Sequence, residues 1–349
     1  MRLLSELGER LSNLRYSKFL IFFFLILLIR NGISPIGEEY VGWIRIAAEN
    51  YPQPVVYLIS SPIPLMLMKI FGYPTTAIWW SLGFCVFVFW IYVSLKYISI
   101  YFKNNQKVVT ALFLCSTPVA VAMSMIGHID IYTLLGATIA VFGRFRGHIL
   151  LGAIFAAGGN SDQAIAATVC LAFLAFGGSN LAKQVFLRWA MISSIAYIAL
   201  HLFVKIPDGD DPKKVMLAEL HTVVVNSISV WHFIVYAFLG ILWIPWFLLV
   251  YRKLKNAQEK FFTLVGVIIL PFAMSFLILD GTRVGATVGY VTLLISFKDK
   301  LLDQKIDFDK SNQILGAIVV YLIIIPNIII DSSGVLRIPI SKVLEYYFP

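Results

Sequence analysis

The residues best suited to chemistry lie in the stretch that begins at Pro35, directly after the first hydrophobic segment. It places two adjacent carboxylates, Glu38 and Glu39, where the chain leaves a predicted bilayer, and Arg45 follows seven residues after Glu38. A carboxylate in such a place can take a proton from an attacking hydroxyl group. We therefore interpret this stretch as the active-site loop of a membrane enzyme. The alternative is that the two glutamates only stabilise the start of an interfacial helix.

Three more polar groups interrupt apolar sequence. They are Gly127-His128-Ile129-Asp130, Asn160-Ser161-Asp162-Gln163 and Asp280-Gly281-Thr282-Arg283. Ionisable residues at membrane depth are costly and are functional candidates by default. A guanidinium such as that of Arg283 suits a phosphate. The alternatives are a satisfied helix-end pair for His128 and Asp130, a helix N-cap for Asn160, and simple neutralisation of Arg283 by Asp280.

The composition points to a membrane protein. The chain has 349 residues, of which 59% are hydrophobic and only 13% charged, and its mean hydropathy is +0.84. Soluble domains carry about 25% charged residues, so an ordinary soluble domain is excluded. The net charge of +9 is spread over short loops, as membrane topology requires, and we expect no nucleic-acid partner.

Hydropathy predicts an all-α fold, a polytopic transmembrane helical bundle that forms one domain over residues 1–349. About eleven spans are expected, with interfacial helices in a first outer loop at 35–72, a long outer loop at 206–229 and a short outer tail at 332–349. The expected spans start near Phe19 and continue at 76–95, 108–126, 129–142, 149–157, 164–176, 185–204, 231–251, 261–279, 284–295 and 314–330.

The distribution of Lys and Arg predicts the orientation of the chain. With a cytoplasmic N-terminus and the segment 54–72 lying on the outer interface, most basic residues fall on the inner side, as the positive-inside rule requires. If that segment spanned the bilayer instead, the basic run from Arg252 to Lys260 would face outward. The chosen topology gathers the unusual polar residues on one non-cytoplasmic face. A bacterial inner membrane, with the site facing the periplasm, is the expected setting.

The order of these elements resembles that of the GT-C glycosyltransferases. The resemblance rests on a signal-anchor helix, an acidic first outer loop, a proline-bearing surface segment ending in Phe71-Gly72, and Ser116-Thr117-Pro118 leading to His128 and Asp130. It covers roughly the first half of the chain.

The resemblance implies a polyprenyl-phosphate-linked sugar as donor, a glycan or glycolipid as acceptor, and transfer with inversion. It implies a catalytic carboxylate in the first outer loop, either Glu38 or Glu39, and a cation for the leaving phosphate, for which Arg283 is the first candidate, followed by Arg45 and His128. The further candidates for substrate or metal binding are Asp130, Asp162, Gln163 and Asp280. Glu39, Asp130 and Asp162 have oxygen atoms suited to a divalent metal such as Mg²⁺ or Mn²⁺.

Other membrane functions fit parts of the sequence. A transporter or lipid flippase would line a path near the midplane with broken helices and repeats, whereas the polar residues here lie toward one face. A polysaccharide polymerase or ligase would also keep a large outer loop with arginines. A membrane acyltransferase could use His128, but no nucleophile motif accompanies it.

Overall fold

The computed structural model describes residues 2–50, 60–203, 242–277, 281–302 and 308–324, with short pieces at 221, 224–225, 228, 306, 329–330 and 336–337. Within these residues the regular structure is helical, apart from one antiparallel pair of two-residue strands, β1 (Ile329–Ile330) and β2 (Leu336–Arg337). The all-α prediction is therefore confirmed for the described part of the chain. Most of the predicted loop 206–229 and all of 338–349 lie outside it.

The helices of the N-terminal part are α1 (Arg2–Asn13), α2 (Tyr16–Asn31), α3 (Glu38–Asn50), α4 (Pro62–Ile70), α5 (Thr76–Tyr101), α6 (Gln106–Leu114), α7 (Thr117–Ser124) and α8 (Asp130–Phe142). The later ones are α9 (Arg146–Gly159), α10 (Ser161–Phe176), α11 (Asn180–Phe203), α12 (Trp243–Leu249), α13 (Ala257–Leu264), α14 (Leu270–Leu277), α15 (Gly281–Leu301) and α16 (Phe308–Ile324). A π-helical turn, Val265–Ile269, joins α13 to α14.

Local sequence explains several of these boundaries. The Thr75 hydroxyl accepts the Ile78 amide and caps α5, and the Asn160 side chain accepts the Gln163 amide and caps α10. Pro118 lies at the start of α7, where a missing N–H costs nothing. Because proline cannot continue a preceding helix, α6 and α7 separate there and are bent by 48°.

The prediction of about eleven spans is not met. Within the described residues two helices are long and apolar enough to cross a bilayer, Thr76–Tyr101 and Ala257–Ser275, and the bent pair of α6 and α7 is a third if it forms one span. The predicted segments 129–142 and 164–176 form helices of 13 and 16 residues. At 1.5 Å per residue these are about 20 and 24 Å long, less than the roughly 30 Å of a hydrocarbon core.

Apolar side chains also cover the outside of the bundle. On α11 an exposed stripe recurs every three or four residues, and its members are 50–74% exposed: Leu187, Met191, Ile195, Ile198 and Leu202. Soluble monomers rarely expose an apolar surface of this extent. These stripes and the long apolar helices are those of a protein that associates with a membrane.

Helices α5, α8, α10 and α15 run in the same direction and so define two ends of the bundle. Their starts meet around Asp130, and we call this region, with the start of α3, the Asp130 end. The last turn of α15, the α10–α11 turn and the start of α13 form the Asp299 end. Midway, the Thr138 hydroxyl accepts the Trp90 indole N–H at 3.0 Å and lies 3.2 Å from the Tyr290 hydroxyl, which links α5, α8 and α15.

Two apolar cores support this arrangement. The larger one runs through the bundle, where α8 and α9 approach so closely that a Cβ added to Gly136 would lie 2.4 Å from the Gly152 carbonyl oxygen. The smaller one packs α3 and α4 against the start of α5, around Ile44, Met68 and Trp79. Helix α4 has nine residues, about 14 Å, so it is too short to span a bilayer. The second core holds α3 on the Asp130 end.

Candidate functional site

Two linkers run side by side at the Asp130 end. The chain from α2 to α3 pairs with the chain from α7 to α8: Ser34 donates its amide to Met123, Ile126 donates to Ser34, and Ile36 donates to Ile126, each at 3.0 Å. This parallel pairing ends two residues before Glu38 and four before Asp130. It therefore places the starts of α3 and α8 next to each other.

Two tryptophans of α5 hold the linkers in place. The Trp79 indole N–H donates to the Gly127 carbonyl at 3.1 Å, and the Trp80 indole N–H donates to the Ile36 carbonyl at 3.0 Å. Gly127 has a φ of +91°, a conformation that favours glycine. A Cβ added to Gly83 of α5 would lie 2.4 Å from the Gly127 Cα atom. The sequence therefore needs glycine at both positions to bring His128 and Asp130 to this place.

The centre of the site is the Asp130 carboxylate, which is 3% exposed. Its Oδ2 atom accepts the Arg283 Nη1–H at 2.6 Å, and its Oδ1 atom accepts the Gln163 Nε2–H at 3.0 Å. A buried carboxylate is stable in its ionised form only when it is paired and hydrogen-bonded. Arg283 supplies the pairing charge, so Asp130 is fixed as an anion and is poorly suited to accept a proton.

His128 completes the cluster, and it is 8% exposed. Its Nδ1 atom lies 3.3 Å from the Asp130 amide nitrogen and 3.4 Å from Asp130 Oδ2. The amide N–H donates to Nδ1, which must then carry a lone pair, so the ring proton is on Nε2. The contact to Oδ2 becomes a hydrogen bond only when Nδ1 is protonated. With this tautomer the Nε2–H group of His128 is available as a donor for an anionic oxygen.

Tyr40 links the acidic helix to this cluster. Its ring stacks on the His128 ring, with 4.8 Å between centroids and 25° between planes. Tyr40 follows Glu39 directly, so the first turn of α3 lies over the Asp130 cluster. The side chains of Glu38 and Glu39 are exposed, and they are the acidic residues of that first turn. An acidic group there is also stabilised by the helix N-terminus, so both interpretations of the two glutamates remain.

Four helix starts converge at this place. Asp130 is the first residue of α8, and the side chains that reach the cluster from α3, α10 and α15 each belong to the third residue of their helix: Tyr40, Gln163 and Arg283. Helix N-termini carry a partial positive charge and free N–H groups. This field favours the Asp130 carboxylate and any further anion at the same end.

The structure thus brings together His128, Asp130, Gln163 and Arg283, all of which the sequence predicted as site residues. Arg45 lies elsewhere: it is half-buried and its Nη2–H donates to the Pro74 carbonyl at 2.9 Å, so it holds the linker before α5. Asp162 is exposed and accepts the Ser60 hydroxyl at 2.5 Å. Asp280 lies outside the described residues, so its predicted pairing with Arg283 is not tested; Arg283 contacts Asp130.

Tyr40 is the residue that sequence reasoning missed. Aromatic residues at membrane interfaces are common, so its type gave no specific signal, although its position next to Glu39 did place it in the predicted loop. No group of three or more His, Cys, Asp or Glu side chains lies together among the described residues. The divalent metal stays a prediction.

Comparisons of the chain with protein-family models, with curated proteins and with solved structures gave no match. The resemblance to the GT-C glycosyltransferases therefore rests on the order of the sequence elements alone.

Proposed function

We propose that the protein is a membrane glycosyltransferase that moves a sugar from a polyprenyl phosphate to a glycan or glycolipid acceptor, with inversion at the anomeric carbon. The observation that supports this most is the stacking of Tyr40 on His128. It places the exposed carboxylates of Glu38 and Glu39 at the same end of the bundle as the Asp130–Arg283 pair. A proton acceptor and cationic or N–H donors are what a transfer from a lipid phosphate requires at one place.

In the proposed reaction Glu38 or Glu39 takes the proton of the acceptor hydroxyl. The acceptor oxygen forms a bond to the anomeric carbon while the bond from that carbon to the phosphate oxygen breaks, and the lipid phosphate leaves with the electron pair. Its growing negative charge is met by Arg283, which Asp130 holds in a fixed orientation, and by the Nε2–H of His128. Interactions that strengthen as this charge develops lower the barrier.

The proposal includes an orientation. The N-terminus is cytoplasmic, the Asp130 end faces the non-cytoplasmic side, and a bacterial inner membrane is the setting, with cell-envelope glycans or glycolipids as acceptors. Lys and Arg are concentrated on the opposite side under this topology, as the positive-inside rule expects.

The test is sugar transfer by the purified protein, with a panel of polyprenyl-phosphate sugars and of glycan and glycolipid acceptors. Either Glu38→Gln or Glu39→Gln should lower the rate by roughly 100-fold or more, the usual contribution of a general base, without changing the free energy of unfolding. Glu49→Gln is the matched control, because Glu49 is also an exposed acid of α3 but lies at its other end. Full transfer by both single variants would contradict the assignment, and uptake of the sugar into sealed vesicles without product would favour a transporter.

A further inference from the structure

The amide of Gln163 is only half satisfied. Its Nε2–H donates to Asp130 Oδ1 at 3.0 Å, but its Oε1 atom is buried and has no hydrogen-bond partner among the described residues. The side chain is only 5% exposed. A buried acceptor without a donor costs about 1–3 kcal/mol, and such an atom at a polar site indicates that a further group completes it.

The missing partner must be a hydrogen-bond donor. Turning the Gln163 amide by 180° would place Oε1 against Asp130 Oδ1, and two acceptor oxygens repel each other. Arg283 keeps the Asp130 carboxylate ionised, so that carboxylate has no proton to offer. The orientation of the amide is therefore fixed, and Oε1 is the unsatisfied hydrogen-bond acceptor.

The positive charge of Arg283 favours a neutral donor. Its guanidinium lies 2.6 Å from Asp130, and both side chains are nearly buried. An ammonium group beside Gln163 would bring a second positive charge close to Arg283 in a low-dielectric place, which is unfavourable. A hydroxyl group donates one hydrogen bond without adding charge.

We infer that Gln163 Oε1 accepts a hydrogen bond from a neutral hydroxyl group of the substrate, so the part of the substrate that contacts Gln163 is an uncharged polyol such as an unmodified sugar ring. Under the proposed function, on which this inference rests, that ring belongs to the acceptor, while the phosphate of the donor contacts Arg283 and His128. Gln163 then selects which hydroxyl is presented to the base. A site that hydrogen-bonds a substrate hydroxyl discriminates strongly against analogues that lack it.

The test is binding, measured by saturation-transfer NMR on the purified full-length protein in detergent. The probes are neutral methyl glycosides, their monodeoxy derivatives and the corresponding sugar phosphates. We compare the wild-type protein with Gln163→Met, which keeps the length of the side chain but removes the whole amide, both the Oε1 acceptor and the Nε2–H donor to Asp130. The monodeoxy derivatives isolate the Oε1 contact, because they leave the protein unchanged. Ser161→Ala is the matched control for the loss of a polar group at the same helix start, because the Ser161 hydroxyl is buried and makes no hydrogen bond to Asp130 among the described residues.

We expect at least one neutral glycoside to bind the wild-type protein and Ser161→Ala equally, and to bind Gln163→Met roughly tenfold more weakly, as the loss of one buried hydrogen bond implies. One monodeoxy derivative should bind the wild-type protein roughly tenfold more weakly than its parent glycoside. Gln163→Met should bind this derivative and the parent glycoside with equal affinity, because the two changes remove the same contact.

Two results would overturn the inference: equal binding of the glycosides by Gln163→Met and the wild-type protein, or no binding of any neutral glycoside, whether or not the sugar phosphates bind, which would leave only water at Oε1. If Gln163→Met does not fold, binding of the monodeoxy derivatives to the wild-type protein is the test. The inference is then contradicted if removing each hydroxyl in turn never lowers the affinity by about tenfold. The expected binding pattern without transfer from any polyprenyl-phosphate sugar would instead refute the proposed function.

Discussion

Helix α15 forms an ion pair near each of its ends, and the two ends are built differently. At the Asp130 end, Arg283 pairs with Asp130 at 2.6 Å, and the two side chains are 11% and 5% exposed. At the Asp299 end, Lys300 pairs with Glu259 at 2.7 Å, and the two side chains are 21% and 20% exposed. Arg283 and Lys300 are separated by about 26 Å along the helix, at 1.5 Å per residue.

Several polar side chains of the Asp299 end form hydrogen bonds with one another or with the nearby backbone. Ser179 donates its hydroxyl to Asp299, Lys298 donates to the Val141 carbonyl at 2.6 Å, and Glu259 accepts the Lys255 amide at 2.8 Å. At the Asp130 end the Gln163 Oε1 atom is left without a donor. At the Asp299 end the described polar groups hold α15 to its neighbours, whereas at the Asp130 end one buried acceptor has no donor, and to that acceptor we assign a substrate hydroxyl.

The largest expected effect comes from breaking the Asp130 pair. Asp130→Asn or Arg283→Met should lower the free energy of unfolding by about 3–5 kcal/mol, because each removes one member of a buried ion pair. The double variant should recover part of this loss, since it removes both charges. Chemical unfolding in detergent, followed by tryptophan fluorescence, measures the change.

Lys300→Met is the matched variant at the Asp299 end. Its pair is partly exposed, and such pairs contribute about 1 kcal/mol or less. Equal losses for Lys300→Met and Arg283→Met would remove the difference between the two ends.

An intermediate effect is expected from Gly83→Ala, which tests how the Asp130 end is assembled. The added Cβ would collide with the Gly127 backbone at 2.4 Å, so α5 and the linker before α8 must separate. Overpacking of this kind costs about 1–3 kcal/mol, and we expect a loss of sugar binding as well. Gly42→Ala on α3 is the control: nothing lies within 4 Å of its added Cβ, so it should stabilise the helix by about 0.5–1 kcal/mol. Thermal unfolding of the two variants in parallel gives the comparison, and equal stability of both would contradict the close contact.

The smallest effect is a pH dependence at the Asp299 end, beyond the predicted span 284–295. Burial raises the pKa of Asp299 above its ordinary value of 3.8; Glu259 adds to this, and Ser179, Lys298 and Lys300 oppose it. Between the unfolded and the folded pKa the folded protein binds more protons, so the free energy of unfolding falls as the pH rises through that window. Asp299→Asn should remove this slope in unfolding measured from about pH 4 to about pH 7. Glu9→Gln on the exposed face of α1 is the control, and an unchanged slope in Asp299→Asn would contradict the assignment.

The sequence predicted which residues form the site better than it predicted the contacts between them. His128, Asp130, Gln163 and Arg283 stand where apolar runs begin, so the sidedness of the loops was enough to group them. The partner of Arg45 was not predictable, because the direction of that side chain depends on how α3 packs on α5. The same holds for Tyr40, whose stacking on His128 depends on the pairing of two linkers that are distant in sequence.

The number of spans was overestimated for a related reason. Hydropathy counts apolar runs, but packing decides how long each helix becomes. Pro118 divides one predicted span. Helices α8 and α9 have only 13 and 14 residues, and the close contact of Gly136 with Gly152 shows that they pack tightly on each other. Apolar helices buried among other helices have the same composition as helices that cross lipid.

The most direct measurement is cysteine accessibility across the membrane. Cys85, Cys115 and Cys170 are first replaced, and single cysteines are introduced as Glu38→Cys, Asp162→Cys and Lys255→Cys, all at exposed positions. We expect a membrane-impermeant maleimide to label positions 38 and 162 from the non-cytoplasmic side of intact cells, and to label position 255 only in inverted vesicles. Labelling of positions 38 and 162 from opposite sides would contradict the convergence of the acidic helix and the Asp130 cluster on one face.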